Sequence, residues 1–533
     1  MSQSLPAKPS LVFLKKQAKD LLDAVRSGDP DAVKIVAACF SPAEKIGLAQ
    51  VHLALAREYG FPSWSSLKRH VAKEESTVVE SFIDAAIAGR LEDARQLWNE
   101  NRELLRQNVA SASIAGDVGA VKGIVQGSPS IVNEGVPPKK SPVLCYVCSS
   151  RLVADSEFET GILETVAFLL ASDADPNSFT WSDWGGEKWR ETALYGAAGV
   201  LNHAGLTKLL LRAGADPNDG AIDNGVYRGE SLYHACDHPG HNECLHLILE
   251  AKPAQPALDY CILRKLDFED IEGVKLFIEH GANLKAAKPR TALSHAILRG
   301  RSIEMLKLLL DSGADPNTPD EDGTTAYGLS RRLGNREASA LLELYGAVGN
   351  FGPHDAILIA AADGDRERVR ELSQAHPEIL EQMSDLGRQA NDGAALGSAG
   401  QVLHDMARLG HKVAVEALLD LGWSPGVTNQ YNETPLHWAC VAGRAEVAEL
   451  LTSRGAPMDI REKGHHCIPI EWITWGSLYW NEPFGDYGRT IEVMLKAGSP
   501  LPRTFEGSEP VLDALRAYGM GGEAGHGAGD GTE

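Results

Sequence analysis

The feature that most constrains this chain is a recurrence at a fixed distance. Thr192-Ala193-Leu194 returns as Thr291-Ala292-Leu293, 99 positions on, and Gly214-Ala-Asp-Pro-Asn218 returns as Gly313-Ala-Asp-Pro-Asn317 at the same offset. Two different motifs sharing one offset mark an internal repeat, and 99 is three periods of about 33 residues. A unit that short cannot enclose a core of its own, so each copy has to bury its apolar face on the next. A chain of 533 residues built this way needs no set of separate globular domains, because each repeat meets only its neighbours.

The clearest single copy is Glu433–Asp459, ETPLHWACVAGRAEVAELLTSRGAPMD. Thr434-Pro435-Leu436-His437 opens it, with Pro435 in a first turn whose N–H groups lack intrahelical partners anyway. Small apolar residues lead to Ala442-Gly443, and then Val447, Leu450 and Leu451 follow at helical spacing. Gly455 stands where a helix ends on a positive φ. The reading is helix, tight turn, helix, polar loop. This unit resembles an ankyrin repeat, in its T-P-L-H-x-A start as well as in its period. The resemblance implies an all-α ankyrin-repeat solenoid of about a dozen helix-turn-helix repeats, with a concave protein-binding surface made of hairpin fingers and inner helices.

Taken in order, the chain divides into four. Residues 1–76 read as a small helical module: an amphipathic helix over Leu11–Ser27, two further helical stretches at about 31–39 and 44–59, and a short helix after the cap Ser63. Its phrase Ala56-Arg-Glu-Tyr-Gly-Phe-Pro-Ser-Trp64 is similar to a module that precedes ankyrin arrays in bacterial proteins; the module reads as a helical cap shielding the first repeat, with a separate binding module as the alternative. Residues 77–350 form a first array, with units opening near Thr192, Ser231, Pro256, Thr291 and Thr325. Residues 351–518 form a second, because Ala360–Leu380 matches Ala85–Leu105 at a constant offset of 275 and both have the charged character of an array start. The Gly-rich stretch Tyr345–Gly352 is the joint. Ser384–Gly400 reads as an overlong loop and Gly519–Glu533 as a disordered tail.

Composition limits the function. A net charge of −22 argues against nucleic acid, whose binders need a basic stripe, and a charged partner is expected to be basic. No apolar run has the length of a signal peptide or a membrane span, so the eight cysteines are expected to be reduced thiols in the cytoplasm, with no membrane partner. His234, Cys236, His238, His241, Cys244 and His246 together resemble a zinc ligand set. Repeat register absorbs most of them: His234 falls on the position of His437, His241 on that of His411, and both cysteines on packing positions. Cys145-x-x-Cys148 lies within a helix, and His465-His466-Cys467 with Glu471 straddles a loop tip and the T-P-L-H histidine position. There is no phosphate loop, nucleophile elbow or metalloprotease helix, and the carboxylates read as solvated outer faces. The chain is therefore expected to be no enzyme, with no catalytic residue, cofactor or metal.

The aromatic residues are distributed unevenly. Trp181, Trp184 and Trp189 cluster in one enlarged finger, and Trp472, Trp475 and Trp480 lie in or beside a long insertion at the opposite end of a repeat. Large aromatics on projecting loops either fold back as a lid or anchor a partner. The candidate partner-binding residues are Trp181, Trp184, Trp189, Tyr227, Arg228, Trp423 and Tyr431, all at finger positions. The expected function is a protein-interaction scaffold, and the alternative is an enzyme or metal-dependent activity housed in the insertions.

Overall fold

Threonines at the unit openings become helix caps. Thr291, Thr325 and Thr434 accept through Oγ1 from the backbone N–H three residues on, satisfying a donor that the first helical turn leaves unpaired. The short inner helices they start, Ala292–Leu298, Ala326–Arg332 and Pro435–Val441, are almost wholly buried. Each ends at a glycine with φ near +65°, Gly300, Gly334 or Gly443, where the chain reverses. The outer helices Ile303–Asp311, Arg336–Leu344 and Ala445–Ser453 bury one face only. Asn317 then ties its loop to the next, donating from Nδ2 to the carbonyl of Gly346 and accepting from the N–H of Val348. Asn177 and Asn218 tie earlier loops in the same manner, with Gly214, Asp216 and Ala254 as partners.

The computed structural model describes residues 5–6, 10–40, 46–184, 187–223, 226–228, 230–286, 290–321, 323–378, 402–480 and 485–520, with backbone alone at 12, 183–184, 187, 221–223 and 226–228. The loop anticipated at 384–400 and all but the first two residues of the anticipated tail lie outside these. The described chain is mainly helical, with three two-stranded hairpins. It divides into two compact units, Met1–Ala257 and Leu258–Glu533.

The first unit begins with four helices: α1 (Leu11–Ser27), α2 (Pro30–Ala37), α3 (Leu48–Glu58) and α4 (Trp64–Ala88). Leu14, Ala18, Val51, Leu55, Leu67 and Val71 form a core separate from that of the repeats behind it. Ser63 caps α4 through the N–H of Ser66, as its position suggests. The helix does not stop near Val71, however, but runs 25 residues to Gly89 and so also supplies the first helix of the repeats. Nothing between Ala72 and Glu80 is a glycine or proline, so nothing breaks it. Helix pairs then follow to Glu250, joined by hairpins β1–β2 (Gly135–Val136, Ser141–Pro142), β3–β4 (Phe179–Trp184, Glu187–Thr192) and β5–β6 (Ala221–Asp223, Val226–Arg228).

The second unit repeats the helix pair through Tyr487–Lys496 and closes on Glu509–Ala517. One core runs from Ile357 through Leu403, Leu436 and Ile470 to Leu515. The 345–352 joint lies inside this unit. Helix Ala326–Arg332 packs on Pro353–Asp363 across the joint, with Arg332 Nε 2.7 Å from Asp355 Oδ1. Carboxylates are not confined to solvated faces. Asp219, Asp270, Asp405 and Glu462 are buried, and three of them visibly hold structure. Asp219 accepts from the cap Thr192 and from Ser231 of the next repeat, Asp270 caps a helix while facing Lys265 Nζ at 2.7 Å, and Glu462 accepts from three loop N–H groups.

Candidate partner-binding site

The long finger β3–β4 is the element that sets the first unit apart. Six residue pairs hold it, against three in β5–β6 and a single bridge at Pro319–Thr325. Alternation along a strand puts Phe179, Trp181, Arg190 and Thr192 on one face and Thr180, Ser182, Trp189 and Glu191 on the other. The tryptophans that cluster in sequence therefore do not make one patch. Trp181 is 60% exposed, and its ring meets Phe179 edge-on at 5.5 Å, while the Arg190 guanidinium lies over Phe179 at 4.4 Å. Trp189 faces the other way and is half-buried. The side chains of Trp184, Tyr227 and Arg228 lie outside the described residues. At its base the finger is fixed by Ser141 Oγ against Thr180 Oγ1, 2.7 Å, and by the Ala193 N–H on the Ser178 carbonyl, 3.0 Å.

In the second unit two neighbouring loops brace each other. Lys463 donates from its N–H to the carbonyl of Tyr431 (2.8 Å) and from Nζ to that of Gln430 (2.9 Å), and Asn432 Nδ2 donates to the carbonyl of Arg461 (2.7 Å). Tyr431 stands on this frame with 54% of its surface exposed. Trp423 does not join it. Only 5% exposed, it packs with Val427 and Ala456 in the core, because the chain there turns inward after Gly422 and fills the space between repeats. Trp423 is a packing residue and is withdrawn from the candidates.

Behind these fingers the inner helices carry buried histidines. His437 Nδ1 accepts from the Thr434 N–H (3.1 Å) and hydroxyl (2.9 Å), so Nε2 carries the proton and donates to the Cys467 carbonyl at 3.3 Å. His404 Nε2 likewise donates to the Glu433 carbonyl at 3.1 Å. Each ring thus joins its own helix to the following finger. Glu471 fills the same position with a carboxylate, accepting from the Ile468 N–H (2.8 Å) and from the N–H (3.1 Å) and Nε (2.6 Å) of Arg503. Burial pushes His404 and His437 down to about 4, leaving both neutral.

The other clusters are engaged in structure. His234 Nδ1 meets Asp237 at 2.9 Å, and not the next finger as its register suggests. His238 Nε2 bonds the Gly199 carbonyl (2.9 Å), His246 faces Glu250 (3.4 Å), and Cys244 Sγ lies 3.4 Å from Thr207 Oγ1. Among the described residues no three His, Cys, Asp or Glu side chains are grouped to hold a metal. Burial drives the Cys145 thiol up to about 12 and Cys148 well above its usual value, which removes the thiolate that redox or metal chemistry needs. One exposed patch was absent from the candidate residues. Trp475, Leu478 and Tyr479, the last 69% exposed, sit on or beside a π-helical turn (Gly476–Trp480) at the helix-helix end of its repeat. The aromatic insertion was legible in the sequence, but its exposure was not.

A family model described as "Ankyrin repeats (3 copies)" matches residues 357–462, and one described as "Ankyrin repeat" matches 290–321. The chain carries ankyrin repeats. Human Ankyrin repeat and SOCS box protein 16 is 30% identical over 193 residues, which is 36% of this chain and 42% of that protein. The Caenorhabditis elegans homolog of transient receptor potential cation channel subfamily A member 1 is 29% identical over 146 residues, 27% of this chain and 11% of that protein. The chain thus spans less than half the length of these curated ankyrin relatives. The crystal structure of the human ASB11 ankyrin repeat domain aligns with 45% of this chain and 99% of that domain, at 19% identity and a TM-score of 0.33. Among the described residues no helix is long and apolar enough to cross a membrane.

Proposed function

We propose that this ankyrin-repeat chain is a protein-recognition scaffold whose contact surface lies on the finger side of the repeats. Ankyrin repeats are in general protein-interaction modules, and the finer assignment rests on the β3–β4 finger. A six-pair hairpin holding a largely exposed indole does little for its own repeat. Burying an indole removes some 150–250 Å² from water, so leaving it out forgoes a large apolar gain that a partner can supply. Tyr431 has the corresponding role in the second unit. The chain's net charge favours a basic partner. We place this activity in the cytoplasm because none of the eight cysteines is in a disulfide.

The test is to set melting temperature beside partner capture for Trp181→Ala and Tyr431→Ala. Truncating exposed side chains leaves stability within about 0.5 kcal/mol, while losing an anchoring aromatic weakens capture by about 2 kcal/mol, roughly thirtyfold. A lowered melting temperature with intact capture would make Trp181 a lid and overturn the assignment. Catalysis or metal chemistry is the weaker reading, since Cys236, His238, His404 and His437 already bond to backbone carbonyls.

A further inference from the structure

We propose that the N-terminal helical module binds an aromatic anion of mononucleotide size in the cleft between α1, α3 and α4. The cleft measures about 570 Å³, within the range of small-molecule sites. Three helical stripes converge on it. From α1 come Lys15, Lys19 and Arg26, spaced so that one flank of the helix faces the opening, and from α4 comes Lys68, one turn after Trp64. The rest of the lining is apolar and aromatic: buried Leu22 of α1, Leu48 of α3, and Trp64, whose ring stacks on the His52 imidazole at 4.1 Å and 10°.

Charge makes the cleft unusual in this molecule. Residues 1–76 hold 11 Lys and Arg against 8 Asp and Glu, in a chain whose net charge is −22. Among the described residues Lys15, Lys19 and Lys68 make no ion pair, and Arg26 has only a 3.9 Å contact with exposed Asp23. Four cations stand in the lining against one carboxylate, Asp23, and the excess focuses a positive potential into the opening. The same field reaches His52, whose pKa is lowered by burial and then by Lys68. A neutral imidazole on an indole is a platform for an aromatic ring, and the lysines at the rim suit a phosphate attached to it. Neither a bare anion nor an uncharged ring uses both halves of the cleft.

Isothermal titration of the full chain with AMP, adenosine and inorganic phosphate tests this. AMP should bind saturably, with adenosine and phosphate each at least tenfold weaker. Lys19→Glu/Lys68→Glu should weaken AMP at least tenfold without moving the melting temperature, as both side chains are exposed, and Lys19→Arg/Lys68→Arg should keep it. Lys16→Glu, an exposed lysine of α1 outside the cleft, should change AMP binding less than twofold. No saturable AMP binding, AMP no tighter than phosphate, or an equal loss in Lys16→Glu would each overturn the proposal.

Discussion

His404 and His437 are buried polar groups whose worth depends on staying neutral. Burial lowers both to about 4, against an ordinary 6.5 in the unfolded chain. The folded state then binds fewer protons than the unfolded one between those values. Their contribution is complete above pH 6.5 and is lost as pH falls towards 4, by up to about 1.4 kcal/mol per pH unit for each ring. Urea midpoints measured from pH 7 to 4 should therefore fall, and the slope should be shallower in His404→Gln and His437→Gln. An unchanged slope in both variants would contradict the assignment. At this scale the sequence was informative where a side chain's job is set by register, as at His437. It was misleading at Trp423, because a loop residue's direction depends on where the neighbouring repeat leaves a gap. It was silent on Glu462 and Asp219, whose burial follows from loop N–H groups that need acceptors.

Inner helices are the elements that make one repeat fit the next. Gly196 and Gly476 stand where two of them meet a neighbour, and a Cβ there would come within 2.6 Å of the Cys148 carbonyl and 2.3 Å of the Val441 carbonyl. Backbone cannot yield as a side chain can, so Gly476→Ala should cost about 1–3 kcal/mol by overpacking. Leu436→Ala, at a wholly buried position, should cost about 2–5 kcal/mol by leaving a cavity. Denaturant unfolding monitored at the tryptophans checks both, and a neutral Gly476→Ala would refute the close approach. The helix pairs and their capped starts were legible because caps, glycine turns and apolar spacing are local signals. The continuity of α4 and the length of β3–β4 were not, since one depends on the absence of a breaker and the other on pairing across a turn. Thiol reactivity offers a further check: Cys39 and Cys467, both half-buried, should react with a thiol reagent ahead of the six buried cysteines.

For the whole molecule the repeat pattern suggests a division at residue 350, and we retain it as a proposal about cooperativity. Leu451→Ala should then lose hydrogen-exchange protection within 351–518 and leave 291–344 protected. Contacts inside the second unit oppose this independence: buried Arg408 donates to the Leu298 carbonyl, and the Arg299 guanidinium lies 5.9 Å from the Trp480 ring centre. Loss of protection spreading into 291–344 would overturn the division. Such pairings between residues far apart in the chain leave no periodic trace, which is why the repeats were readable and these contacts were not. Whether a partner protein is held on the finger side is read from hydrogen exchange of the chain with and without its captured partner. Slowed exchange in Phe179–Trp184 and Glu187–Thr192, with no change at Gly476–Trp480, is the predicted result. Slowing confined to Gly476–Trp480 would place the partner at the opposite end of the repeats and contradict the account.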